Sequence, residues 1–391
     1  MRKNVGKDVV IWGAAFEAEK FECLYGTEYN VEFYIDRNAN RTFHGKPVYT
    51  YDEKKDELKV KKIIIASSEP IYREISSFLI SEGFKEFEDF MYVNHINKKL
   101  IILYGNCHMA IIGMYLKQQH EISNNYFIRT YFIHSNQKPT NDELKYCDLL
   151  ISQDIEEKNE FNNIGLNYLK DRVRKSCKVI IVPNLYRINL FWPQVTKRFD
   201  NENNLHLGED KIYEDDFDNL SYTARGPVRW MIGWCDNYIE KCILNGDSVE
   251  QISCSIKSQE IFKKDDIINN FNNTINKLKE REKKCSISIS DYILDNYKKV
   301  DLFYDPGHPT NILFKEKARR ILCIMGVENI CFDEISERMD SIEIFVYGCV
   351  KHALQLEYDK EYIRTYTYNG TLWNRAISLE EYIKQYKLWK Y

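Results

Sequence analysis

The chain has 391 residues, enough for two domains and an appendage, and its 44% apolar and 29% charged residues are those of an ordinary globular protein. A formal net charge of −4 excludes the polyelectrolyte signature of a nucleic-acid binder, and no apolar run approaches the length of a membrane span. The 11 cysteines include no CxxC pair and no metal-like spacing, and their number is odd, so reduced thiols are expected rather than a disulfide framework or a metal site.

The N-terminus runs into a strand without a signal-peptide core, and a cytoplasmic protein is expected. Residues 8 to 92 read as a small α/β unit. Asp8–Trp12 is a strand ending in Gly13-Ala14-Ala15, with a helix behind it, and Val31–Asp36 is a second strand with an acid at its end. His44–Val48 turns into a short strand, Lys62–Ala66 is a third buried strand, and a helix runs from Pro70 to Glu82. Gly83 ends that helix, and Phe84–Phe87 is expected to add a strand.

This pattern is half of a nucleotide-binding fold, with Gly13, Ala15 and Asp36 as the candidate nucleotide residues. The fingerprint is degraded, because Ala15 stands where the second glycine would admit a pyrophosphate. A structural or docking role competes with nucleotide binding here.

After a junction at 93–99, Leu100–Leu103 reads as a buried strand, Gly105-Asn106 as a tight turn and Met109 onward as a helix. Cys107 therefore falls at a strand-to-helix turn, where the N–H groups and the positive dipole end favour a thiolate. Serine hydrolases place their nucleophile at such a point. The competing reading is one more small, buried, inert cysteine.

Asn125–Ile133, Cys147–Asp154 and Cys177–Val182 read as further strands, with a helix over Gly165–Arg174. From 200 to 300 the chain turns helical and charged. It contains an acidic stretch (Glu209–Asp218), an aromatic-rich helix (Val228–Leu244) and a solvated helix (Asp265–Lys284). A helix from Ile312 to Met325 ends at Gly326. The aromatic tail, with Tyr358, Tyr362, Tyr366, Tyr368, Trp373, Tyr382, Tyr386 and Trp389, is expected to pack on the main domain or a second subunit, which leaves room for a homo-oligomer.

Asp305-Pro306-Gly307-His308-Pro309 supplies what Cys107 lacks: a histidine base, and three residues before it a carboxylate that can fix its tautomer. Alone, His308 would be a loop histidine and Asp305 a capping carboxylate. A nucleophile turn first and Asp-x-x-His last is the order of the SGNH/GDSL hydrolases, and Gly105-Asn106-Cys107 stands where they carry Gly-Asp-Ser. Gly-Asn-Cys-His, Ile-Ser-Gln-Asp, Val-Pro-Asn-Leu-Tyr with a later Trp-Pro, and Asp-x-x-His-Pro together resemble the WcbI-like family over roughly residues 100–330. The first unit resembles the small Rossmann-like domains attached to bacterial sugar acyltransferases, through its Gly-Ala turn, Ile-Asp strand end and Gly-Lys-Pro-Val.

The resemblance implies an α/β architecture in three parts. A Rossmann-like domain covers 1–95, and an SGNH-like three-layer domain with a parallel sheet covers 96–335, with a helical insertion at about 200–298. An aromatic appendage covers 336–391. It further implies a coenzyme A-dependent O-acetyltransferase of capsular or other surface polysaccharide, using acetyl-CoA, no metal, and a sugar or polysaccharide acceptor. Cys107 would be the nucleophile, His308 the base and Asp305 the orienting acid.

Asn106, Gln153 and Asn184 are candidates for oxyanion or substrate hydrogen bonds. His108, standing where the family usually has Gln, is a candidate for substrate contact or even for a competing base. Arg225, Arg229 and Lys178 are cations that coenzyme A phosphates could use, without assignment. Thioester exchange onto a cysteine is nearly isoenergetic, which favours transfer. Direct transfer without an acyl-cysteine, an esterase or deacetylase with a thiol nucleophile, and a non-catalytic sugar-nucleotide-binding subunit stay open.

Overall fold

The computed structural model describes residues 8–135, 137–156, 164–197, 234–336, 343–358, 363–365 and 375–390. It is a mixed α/β structure whose chain divides into two compact units, residues 1–180 and 181–391.

The first unit holds two sheets. Strands β1 (Asp8–Trp12), β2 (Asn30–Ile35), β3 (Arg41–Phe43), β4 (Lys46–Tyr49), β5 (Lys62–Ile65) and β6 (Phe90–Tyr92) form one, in the order β3-β4-β2-β1-β5-β6. Every pairing in it is parallel except the β3–β4 hairpin. Val9–Ile11 and Ile63–Ile65 are unbroken apolar runs with almost no exposure, as central parallel strands covered on both faces require. The hairpin turns at His44 and Gly45, both at positive φ.

Helices α1 (Phe16–Tyr25), α2 (Tyr51–Leu58) and α3 (Glu69–Ser81) connect the strands. Thr50 and Glu53 start α2 with a reciprocal capping box. The strand expected at Phe84–Phe87 lies instead at β6, because Phe87 turns the chain at φ 66 and its N–H donates to the Phe90 carbonyl (2.7 Å).

The second sheet contains β7 (Lys99–Gly105), β8 (Tyr126–Phe132), β9 (Cys147–Gln153) and β10 (Lys178–Val182), in the order β10-β9-β7-β8. β7 is parallel to both its neighbours. Helices α4 (His108–Gln118), α5 (His120–Asn125), α6 (Asn141–Tyr146) and α7 (Leu166–Lys170) belong with it. The helix expected over Gly165–Arg174 is thus only α7. Beyond it Arg174 turns inward, donating to the Cys147 carbonyl (3.1 Å) and pairing with Asp148.

One buried charge ties the second sheet to elements that flank both sheets. Arg129 on β8 pairs with Glu86 (2.5 Å) and Glu143, and also donates to the Tyr72 hydroxyl of α3. Both carboxylates are less than a tenth exposed.

In the second unit β11 (Val195–Lys197) pairs antiparallel with β12 (Trp234–Asp236). There follow α8 (Asn237–Leu244), α9 (Val249–Lys257), α10 (Lys264–Glu282), α11 (Ser290–Asn296), the hairpin β13 (Phe303–Asp305) and β14 (His308–Pro309), and α12 (Asn311–Met325). Then come α13 (Gly348–Leu354), the pair β15 (Ile363–Thr365) and β16 (Arg375–Ile377), and α14 (Leu379–Lys390).

The expected aromatic helix begins only at Asn237. Asp236 accepts hydrogen bonds from the Tyr238 and Ile239 N–H groups (3.1 Å each) and caps α8, with β12 before it. Residues 228–233, the acidic stretch 209–218, and Arg225 and Arg229 lie outside the described residues. The helix read as solvated buries a face, Ile267, Phe271, Ile275 and Leu278, in the core of this unit. Tyr347 and Tyr382, from the described part of the tail, join the same core, and Trp192 donates to the Phe345 carbonyl (3.1 Å). Tyr362, Tyr366, Tyr368 and Trp373, and the side chains of Tyr386 and Trp389, lie outside the described residues. Among the described residues no helix is long and apolar enough to cross a membrane, and no cluster of potential ligands could hold a metal ion.

Removing the cation of a buried network leaves its carboxylates unpaired. Arg129→Met is expected to lower unfolding stability by about 3–5 kcal/mol in urea titrations, with Lys145→Met, an exposed partner of Glu88, nearly neutral.

Candidate functional site

The Cys107 turn is built by two strand ends. β7 ends at Gly105 and β9 at Gln153, two strands that pair side by side. The Asn106 N–H donates to Gln153 Oε1 (2.8 Å), and Gln153 Nε2 donates back to Asn106 Oδ1 (2.9 Å). Asn106 Oδ1 also accepts from the His108 N–H (3.1 Å), which closes the first turn of α4.

This approach requires glycine at 105. A Cβ there would meet Gln153 Oε1 at 2.4 Å and Met109 Cγ at 2.8 Å. Gln153 is buried and bonded, so it cannot withdraw without breaking the clamp. Cys107 stands at the N-cap of α4, half-buried. His108 is fully buried.

The Asp305–His308 hairpin lies in the second unit. His308 Nδ1 is 2.5 Å from Asp305 Oδ2, and the Gly307 N–H donates to Asp305 Oδ1 (2.6 Å). Asp305 is fully buried, whereas the His308 side chain is about a quarter exposed. The loop that follows β10 braces this hairpin, since the Ile188 N–H donates to the Pro306 carbonyl (2.7 Å). Arg187, just before it, holds φ 62. Asn184 is half-buried in the same loop and accepts from the Tyr186 N–H (3.0 Å).

The loop has an anchor that sequence reading missed. Lys317 on α12 is fully buried and donates to the Pro183 carbonyl (2.9 Å). Burial pushes its pKa down to about 7, against the opposing pull of Cys285 and Glu282. The available signal was positional: Lys317 sits four residues from both Leu313 and Ile321, on the apolar face of α12.

The structure thus groups Asn106, Cys107, His108 and Gln153 in the first unit, and Asn184, Asp305 and His308 in the second. The candidate nucleotide residues form a third group. Gly13, at φ 114, has no room for a Cβ, which would lie 2.2 Å from the Ala66 carbonyl oxygen. Ala15 is the N-cap of α1. Asp36 Oδ2 accepts from the Ala14 N–H (2.9 Å), so the acid that would meet a ribose is bonded to the turn itself.

The chain thus combines parallel sheets, a cysteine at a strand-to-helix turn, and a buried aspartate bonded to a partly exposed histidine. The chain matches the family of the polysaccharide biosynthesis enzyme WcbI over residues 100–210 and 232–329, more than half its length. It belongs to that family. A solved structure described as native WcbI, without a disulfide bond between coenzyme A and one of its cysteines, is 16% identical. It covers 75% of this chain and 90% of its own, with a TM-score of 0.58. Comparison with the curated proteins finds no match.

Two outcomes follow from this geometry. Gln153→Leu removes both side-chain bonds of the clamp and should raise amide exchange at Asn106 and His108, at a stability cost of about 1–3 kcal/mol. The Lys317 pKa is lowered on folding, so between about 7 and 10.5 the unfolded chain binds the extra proton and stability rises with pH. Lys317→Met should flatten that slope in denaturant titrations across this range.

Proposed function

We propose that the chain is a coenzyme A-dependent O-acetyltransferase acting on a sugar of a surface polysaccharide or its precursor. Cys107 is the nucleophile, His308 the base and Asp305 the acid that orients it. The observation that carries this reading is the Asp305–His308 pair: a buried carboxylate 2.5 Å from Nδ1 of a partly exposed imidazole. Such a carboxylate fixes the tautomer and stabilises the imidazolium, so proton transfer runs through Nε2. Membership of the WcbI family supports the polysaccharide, and the coenzyme A named with the solved WcbI structure supports the donor.

The chemistry is a double displacement. The Cys107 thiolate attacks the thioester carbonyl and forms an acyl-cysteine, while the coenzyme A thiolate leaves and takes a proton from the His308 imidazolium. The neutral His308 then removes the proton of the sugar hydroxyl, which attacks the acyl-cysteine and expels the Cys107 thiolate. In this reading Gln153 and Asn106 hold the nucleophile turn, and Asn184 remains for a substrate hydrogen bond. His108 is fully buried and is not assigned the base in this reading.

Residues 1–95 are read as a Rossmann-like domain with a docking role, supported by the bond from Ala14 to Asp36. Residues 96–335 are read as the SGNH-like catalytic domain, residues 336–391 as its appendage, and the cytoplasm as the site of action.

The test is intact-protein mass spectrometry after incubation with acetyl-CoA. A gain of one acetyl group that maps to Cys107, and is absent from Cys107→Ser and His308→Ala, is the expected result. Asp305→Asn should slow acetylation about a thousand-fold or more. Cleavage of sugar acetates without coenzyme A binding would instead make the chain a hydrolase, and full transfer by both variants would remove Cys107 and His308 from the mechanism.

A further inference from the structure

We propose that the cleft at the starts of β7 and β8 is a saccharide-binding site, which takes a neutral oligosaccharide segment away from the Cys107 turn. The binding involves the first unit alone. That the bound segment belongs to the acceptor chain rests on the polysaccharide reading above.

The cleft has a volume of about 610 Å³, within the range of ligand pockets. Lys99 at the start of β7 and Tyr126 at the start of β8 line it, with Asp148 from β9. The nucleophile turn lies past the other end of the same strand. β7 runs from Lys99 to Gly105, a span of about 20 Å.

The walls are held by bonds of their own. Lys98 Nζ donates to the Ser123 carbonyl (2.8 Å), which ties the turn before β7 to α5, and Asn125 Nδ2 donates to the Glu121 carbonyl (2.9 Å). Arg174 is held through Nε by the Cys147 carbonyl (3.1 Å) and by Asp148, whose other oxygen accepts from the Leu100 N–H (2.8 Å). Asn97 turns the chain at φ 59, a conformation that asparagine tolerates better than most residues.

What these bonds leave over is matched to hydroxyl groups. Lys99 Nζ, Arg174 Nη1 and the Asn97 amide can donate, and the Glu121 carboxylate and Asn125 Oδ1 can accept. None of these groups has a hydrogen-bond partner among the described residues. The lining carries two cations, Lys99 and Arg174, and two carboxylates, Glu121 and Asp148, so its formal charge is zero. A phosphate or a metal cation finds no net field there, whereas a sugar hydroxyl, which both donates and accepts, uses both kinds of group. The Tyr126 ring offers an apolar face to the C–H side of a pyranose, and Lys99 Nζ stands 5.8 Å from its centroid. A free amino acid, also net neutral, would fill only part of this volume.

The experiment is isothermal titration calorimetry of the full chain with maltotetraose, cellotetraose, mannotetraose and chitotetraose, and with glutamine as an amino-acid comparator. The expected result is saturable binding of at least one tetrasaccharide, with an affinity that changes less than about two-fold between about 0.05 and 0.5 M NaCl. Lys99→Ala and Glu121→Ala, both at exposed positions, should each weaken it about five-fold or more. Asn97→Gly, which keeps the positive φ and removes only the amide, should do the same if an alanine variant misfolds. A loss of about ten-fold or more over that salt range would mark a charged ligand and overturn the neutral one. Binding lost in Cys107→Ser or His308→Ala but unchanged in the cleft variants would put the sugar elsewhere and overturn the assignment. Binding of none of the four sugars, or of glutamine in their place, would overturn the cleft as a saccharide site. No acetyl transfer enters these measurements, so a failure of the acetyltransferase reading leaves their outcome unaffected.

Discussion

The contact between Gly105 and Gln153 is the constraint on which the candidate nucleophile depends. β7 and β9 are parallel neighbours, so their ends point the same way and present two turns side by side. Only a residue without a side chain lets the Gln153 amide reach the Asn106 backbone, and only an amide can both accept from that N–H and donate back to the Asn106 side chain. Asn106 in turn accepts from the first N–H group of α4. The placement of Cys107 is therefore set by the register of two strands as much as by the turn that carries it.

The second unit uses a different device to the same end. Its Asp–His pair sits on a four-residue hairpin that would be soft by itself. Asp305 is immobilised by the Gly307 N–H, Pro306 by the Ile188 N–H, and the loop containing Ile188 by Lys317 through Pro183. A carboxylate with no solvent exposure keeps its hydrogen bond to His308 undiluted by water, which raises both its strength and its directionality. The buried amine of Lys317 is the costly member of this chain of contacts, because desolvation opposes its charge.

Much of this was legible in the residues. The continuous apolar runs at Val9–Ile11, Ile63–Ile65 and Leu100–Leu103 announced central parallel strands, and Gly326 closed α12 at φ 83 where its position foretold a stop. The family was legible as well, because four short motifs in fixed order carry more information than any one of them. What escaped was non-local. Phe84–Phe87 has the composition of a strand, but a positive φ at Phe87 moves the pairing to Phe90–Tyr92. The bond from the Ala14 N–H to Asp36 joins residues 22 apart, which a strand-end position does not show. Lys317 drew no reading because a lysine on a helix is ordinarily solvated, and the carbonyl that accepts its hydrogen bond lies 134 residues upstream.

Arg129 has a consequence for how such a protein could have been assembled from parts. A domain added to a catalytic segment as an independent bead needs only a linker, and it can be lost or exchanged without harm. Here Glu86 and Tyr72, from the first 95 residues, share one guanidinium with Glu143, from the segment that follows. A lineage that deleted or replaced the N-terminal segment would have to repair the position of Arg129 in the same step. The two segments are in this sense locked together through the charge they share.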